Sequence, residues 1–265
     1  MAFRRWGDSS SIAFAALDGR RGVAVLPLAA TEQHGPHLPT GTDAIIAEGL
    51  IAEAARRAPD DLDVVVLPVQ AIGASLEHSR FPGTVSLTTA QLSDAIVAIG
   101  EGVAKAGLRK LVLVSSHGGN VSAMTAAALE CRERFGLLAV TLTFARLGAP
   151  AGLVDARELA FGVHGGLVET ALMLHFRPDL VDMDRAEHFG SQQERLAEEH
   201  KLLRAYGPVG FGWLAGDLNP QGVTGDAAAV RAEIGAAIAA HQATAFVHLV
   251  TEVAEADVNS LILEA

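Results

Sequence analysis

Aromatic side chains make up only 5% of this 265-residue chain, with one tyrosine and two tryptophans among them. So small a share speaks against an aromatic-rich β-sandwich and suits parallel strands buried between Ala-rich helices. Cysteine is nearly absent, and the lone Cys131 excludes an intrachain disulfide, which fits a reducing cytoplasm. Basic charge is also short: 20 Lys+Arg against 31 Asp+Glu give a formal net charge of −11. The basic residues are scattered rather than run together, so neither nucleic acid nor an anionic membrane is an expected partner. Charged residues, Gly or Pro interrupt every hydrophobic stretch before the ~20 residues that cross a bilayer. The N-terminal MAFRRWGDSS lacks the apolar segment of a secretory signal. The expectation is a soluble, cytoplasmic protein.

What is present in quantity is aliphatic: 50% of the residues are hydrophobic, ample for a continuous core. β-Branched or Leu-rich runs at residues 23–30, 63–70, 110–116 and 137–144 read as strands. Helical apolar spacing over 44–57, 90–106 and 121–135 separates them, giving β-α-β-α-β-α-β. That alternation predicts a parallel sheet with right-handed crossovers and helices on both faces. The second half reads as a loop at 147–153, a helix from about 166 to 176 closed by Pro178, and a charged helix around 192–204. A Gly/Pro-rich segment at 207–225 is long enough to be a functional loop or lid. A last Ala-rich helix is expected from Asp226, as N-cap, to about Ala254. No linker or repeat divides the chain, so residues 1–265 are expected to form one domain.

Chemistry concentrates in three clusters. Glu32-Gln33-His34-Gly35-Pro36-His37-Leu38-Pro39, with Asp43 soon after, follows the first strand, where open parallel sheets place their ligands. Alternate residues of an extended chain share a face, so Glu32 and His34 can converge while Asp43 joins from the next helix. Two carboxylates and an imidazole suit Zn²⁺, Mn²⁺ or Fe²⁺ better than an all-oxygen Ca²⁺ cage. Taken alone, Glu-x-His is more often plain loop and Asp43 a helix cap. Ser115-Ser116-His117-Gly118-Gly119-Asn120 follows the third strand, with His117 brought to the same sheet edge and Asn120 a candidate cap for the helix behind it. This turn has neither the Lys of a phosphate loop nor G-x-G-x-x-G. The third cluster, His164-Gly165-Gly166-Leu167-Val168-Glu169-Thr170, opens a helix with Glu169 in its first turns.

These clusters, in this order, together with Phe81-Pro82-Gly83-Thr84 and Gln221-Gly222-Val223-Thr224-Gly225-Asp226, resemble the motif set of the creatininase (creatinine amidohydrolase) family over most of the chain. The resemblance implies a three-layer α/β/α fold with a mostly parallel central sheet, a homohexamer, and two divalent metal ions per subunit, Zn with Zn, Mn or Fe. It further implies Glu32, His34, Asp43, His117 and Glu169 as metal ligands, with Asp43 bridging, and His164 as the proton-transfer group. The implied activity is hydrolysis of a carbon–nitrogen amide-type bond in a small molecule. Peptide trimming, as in mycofactocin-pathway members, and formamide hydrolysis are the alternatives within the family. Two departures matter. Gly119 stands where true creatininases carry a carboxylate, and their pocket tryptophans are missing, since only Trp6 and Trp213 occur here. Creatinine itself is therefore not the expected substrate. A serine hydrolase built on Ser115 or Ser116 lacks a G-x-S-x-G elbow. A non-catalytic homologue is disfavoured by the complete ligand set. The pocket wall is expected at 71–81 and 207–225.

Overall fold

A computed structural model describes residues 3–15 and 19–261. Strands β1 (Phe3–Arg5), β2 (Val23–Leu28), β3 (Val64–Val66), β4 (Lys110–Ser115) and β5 (Leu138–Thr143) form one sheet in the order β1-β3-β2-β4-β5. Every pairing in it is parallel. After a short helix α1 (Ser11–Phe14), the crossovers are α2 (Thr42–Arg57), α3 (Thr89–Lys105) and α4 (Val121–Phe135). The four strands and three helices read from periodicity are thus present. Strand β1 was not foreseen, because three residues with two arginines carry no hydrophobic pattern. Main-chain pairing to β3 and an Arg4–Asp63 ion pair hold it.

Strand side chains alternate between two apolar layers. Val23, Val25, Val112 and Val114 face helix α2 together with α6 (Leu167–Phe176) and α9 (Ala232–Glu255). Ala24, Leu26, Leu28, Leu111 and Leu113 face α3 and α4. Both sheet faces are therefore covered, as near-continuous apolar strands require. The crossover helix α2 lies on one face and α4 on the other, so the winding reverses between β2 and β4. A crevice opens beyond the carboxyl ends of such strands.

The second half departs from expectation in several places. Helix α5 (Ala156–Phe161) and the antiparallel ribbon of β6 (His188–Phe189) with β7 (Gly225–Asp226) were not predicted. Helix α7 (Gln192–Glu199) stops short of the expected 192–204, and the Arg204 guanidinium folds back onto the carbonyls of Leu196, His200 and Leu203. Within 207–225 lies another short helix, α8 (Ala215–Leu218). Asp226 does not cap α9: its carboxylate accepts from the Ala229 amide in a separate 3-10 turn, and α9 begins at Ala232. Within α9, Glu233–Glu255 is long and apolar enough by composition to cross a membrane, which corrects the expectation that every such stretch is interrupted. Ile234, Ile238, Phe246 and Val250 of this helix are instead buried in the core against the sheet.

Candidate metal centre

The loop after β2 carries Glu32 and His34, the first turn of α2 carries Asp43, and His117 lies two residues beyond the end of β4. Because β2 and β4 are hydrogen-bonded in register up to Leu28 and Ser115, the segments that follow emerge side by side. Ser116 fastens them: its hydroxyl donates to the Asp43 carbonyl at 2.8 Å, and its amide donates to the carbonyl of Leu28 at 3.0 Å. His164 and Glu169 come from the opposite side, at the entrance to α6. His164 is held there by an antiparallel bridge to Thr224.

All six residues expected in the site converge. His117 Nδ1 lies 3.1 Å from Glu32 Oε1 and 3.7 Å from Asp43 Oδ2, forming one donor triad. His34 Nε2 lies 3.3 Å from Asp43 Oδ1 and 3.7 Å from Glu169 Oε2, forming a second. Asp43 belongs to both and turns one carboxylate oxygen to each. A third grouping joins Glu32, His34 and His164, whose Nδ1 is 3.5 Å from Glu32 Oε1.

Backbone carbonyls fix the protons of the three rings. His34 Nδ1–H donates to the Glu32 carbonyl at 3.1 Å, so that Nε2 is the nitrogen that faces Asp43 and Glu169. His117 Nε2–H donates to the Ala74 carbonyl at 3.0 Å, so that Nδ1 is the nitrogen that faces Glu32 and Asp43. His164 Nε2–H donates to the Gln33 carbonyl at 2.7 Å, leaving Nδ1 bare toward Glu32. A carbonyl behind the ring and a lone pair in front is how proteins orient imidazole for a metal.

The electrostatics ask for positive charge. Burial and the Glu32 carboxylate raise the pKa of Asp43. Burial, with Asp43 adding to it, pushes Glu169 up to about 7. Burial alone would lower His34, but the Asp43 and Glu169 carboxylates outweigh it and take the ring to about 10. Against the same burial, Glu32 and Asp43 lift His117 to about 10. Glu32 itself, although buried, is held well below the usual carboxylate range by His117, then His164 and His78. His164 is driven well below its ordinary value by burial and by the neighbouring His34 and His78. Three carboxylates in one buried box thus draw protons onto His34 and His117, the charge that cations would otherwise supply. Among the described residues, Glu32 Oε1 and Oε2, His34 Nε2 and Asp43 Oδ2 are buried with no hydrogen-bond partner. Orphaned atoms of this kind are rare unless something else satisfies them, so the donor set fits divalent metal.

Three contributors were not foreseen. Gln33 accepts the Gly35 amide at Oε1 (2.9 Å) and donates from Nε2 to Gly222 O (2.6 Å) and to His78 Nδ1 (2.8 Å). His78, from a 3-10 turn at Leu76–His78, therefore turns its Nε2–H toward Glu32 Oε1 at 3.7 Å, and its ring packs on His164 at 4.1 Å. Asn120 does not cap α4: its side chain accepts from Ala74 N and donates to Ala29 O and Ser115 Oγ, tying the loop at 74 to the ends of β2 and β4. The only signal for His78 was its place in the expected pocket wall. The 207–225 segment reaches the site at Gly222, Val223 and Thr224. There Val223 packs against Gly35 and Gly165, both at positive φ (73° and 61°), and an added Cβ would come within 2.8 and 2.5 Å of it. His37 points away, with Nε2 bonded to Thr170 Oγ1 and its ring stacked on Phe189.

A family model described as "Creatininase: Creatinine amidohydrolase" matches residues 8–250. A "Mycofactocin precursor peptide peptidase" from Mycolicibacterium smegmatis is 39% identical over 164 residues, 61% of this chain and 61% of that protein. The match thus spans less than two thirds of that relative's length. A "Creatinine amidohydrolase" from Pseudomonas putida is 31% identical over 179 residues, 62% of this chain and 67% of that one. The solved structure "Creatininase Mn" has the same fold, with a TM-score of 0.73 at 24% identity over 95% of this chain and 99% of that one.

Proposed function

Because the chain belongs to the creatininase family, we propose that it is a divalent-metal-dependent amidohydrolase that cleaves a carbon–nitrogen amide bond. One observation carries this reading: Asp43 is shared by two buried donor triads, one oxygen to each, as a carboxylate bridging two ions would be. Glu32, Asp43 and His117 would hold one ion, and His34, Asp43 and Glu169 the other, with Zn²⁺ or Mn²⁺ suited to this mixed set. When bound, such ions bring the pKa of water to about 7 and polarise the amide carbonyl.

The protein's own part is proton transfer. His164 faces the cluster with its unprotonated Nδ1 while the Gln33 carbonyl holds the other nitrogen. It accepts a proton from the attacking water at Nδ1 and returns it to the departing nitrogen, without which the tetrahedral intermediate collapses backward. Packing between His78 and His34 keeps the ring in place.

Two substrate readings follow. The match to a precursor peptide peptidase, at 39% identity, favours a peptide bond. A non-peptide amide other than creatinine is the second reading, favoured by the match to a creatinine amidohydrolase. We also propose that the chain assembles as a homohexamer, the state that the family resemblance implies. The test is hydrolysis of short peptides and small amides by the purified protein, followed as amine release. Activity is expected to be lost to a chelator, restored by Zn²⁺ or Mn²⁺, and untouched by serine-directed reagents. Activity that survives full metal removal overturns the proposal.

A further inference from the structure

Behind His117 lies a carboxylate for which the proposed reaction has no use. Glu77, in the same 3-10 turn as His78, brings Oε1 to 3.4 Å from His117 Nε2, on the side away from Glu32 and Asp43. Among the described residues, His117 is the one ion-pair partner of this carboxylate. The space it fills exists because residue 119 is glycine: a Cβ there would collide with Glu77 Oε1, His117 Nε2 and the Ala74 carbonyl together. The turn is also anchored to the segment that bears His117, since the Ala74 amide donates to Asn120 Oδ1 at 2.9 Å. The Ala74 carbonyl and the Glu77 carboxylate thus grip one ring nitrogen from a single loop.

We infer that Glu77 is a positioning residue for His117, whose negative charge behind the ring strengthens the Nδ1 lone pair as a metal donor. The inference rests on the reading of His117 as a ligand. A carboxylate behind a ligating imidazole fixes its tautomer and orientation and raises its donor strength, and losing it typically costs roughly tenfold to a hundredfold in metal affinity. Gly119 is then the residue that admits this carboxylate.

The experiment is Zn²⁺ binding by competition with a chromophoric chelator, on the wild-type protein, Glu77→Gln and Gly119→Ala, each stripped of metal beforehand. Thermal melting of the stripped proteins is measured alongside. Gln keeps the size of Glu and removes its charge. Glu77→Gln is expected to weaken Zn²⁺ binding about tenfold to a hundredfold while the stripped protein melts as wild type does. Gly119→Ala, whose Cβ would crowd Glu77, the His117 ring and the Ala74 carbonyl together, is expected to weaken binding at least as much. Unchanged Zn²⁺ affinity in Glu77→Gln, or a fall in the melting of the stripped protein that matches the loss, overturns this inference alone. Absence of Zn²⁺ binding by the wild-type protein overturns the proposed metal centre, and this inference with it.

Discussion

His164 is the residue on which metal binding and proton transfer can be told apart. Its Nδ1 stands within reach of Glu32, yet Gln33 fixes its other nitrogen and two imidazoles flank its ring. As the proton carrier, it is expected to tolerate replacement by Gln with full metal content and native circular dichroism, while kcat falls by ~10²–10⁴. The loss should shrink for amides with better leaving groups, which need less protonation. Loss of metal from His164→Gln would make it a ligand. The convergence of Glu32, His34, Asp43 and His117 was legible in the sequence, because they lie at strand ends or a helix entrance on one sheet edge; that of His164 and Glu169 rested on the motif resemblance. Glu77 and His78 were not legible, because a 3-10 turn inside the loop after β3 has no periodicity to say which way its side chains face. Asn120 misled for a related reason. A residue at a helix start suggests a cap, but this side chain is spent on the carbonyl of Ala29 and the amide of Ala74.

Among the elements, the entrance to α6 matters most, since it sets His164 and Glu169. Glu158, in α5, clasps it: one carboxylate oxygen accepts the Leu167 amide at 2.7 Å and the other the Asp226 amide at 2.8 Å. Gly162, Gly166 and Gly225 leave just the room this carboxylate takes. Replacing Glu158 with Gln turns an amide N–H₂ on one of two buried N–H donors. The expected cost is about 1–3 kcal/mol, seen as a lower thermal midpoint accompanied by weaker metal retention. A midpoint equal to that of wild type would remove the clasp from the account. None of this was readable in advance. Helix α5 is six residues long, and strands β6 and β7 have two residues each, too few for a period to register. By contrast, α4 was read to its observed ends, because fifteen residues of helical spacing are closed by Gly136 in the left-handed region.

At the scale of the whole molecule, the sheet order β1-β3-β2-β4-β5 decides where chemistry can occur. The winding reverses between β2 and β4, and the segments after those two strands deliver Glu32, His34 and His117 to one point, with Asp43 on the helix in between. Apolar runs separated by helical apolar spacing made the parallel sheet and its two covered faces legible, since chirality restricts how such elements connect. The contribution of the second half, which brings His164 and Glu169 from across the crevice, was legible only through motif resemblance. The central claim is that two divalent ions share Asp43. It is tested by metal content per chain, measured by elemental analysis after saturation with Zn²⁺ and desalting, for wild type and Asp43→Ala, with native circular dichroism required of both. The account predicts two ions in the wild-type chain and loss of both in the variant. A wild-type chain that retains none, or an Asp43→Ala chain that retains the full complement, would contradict it.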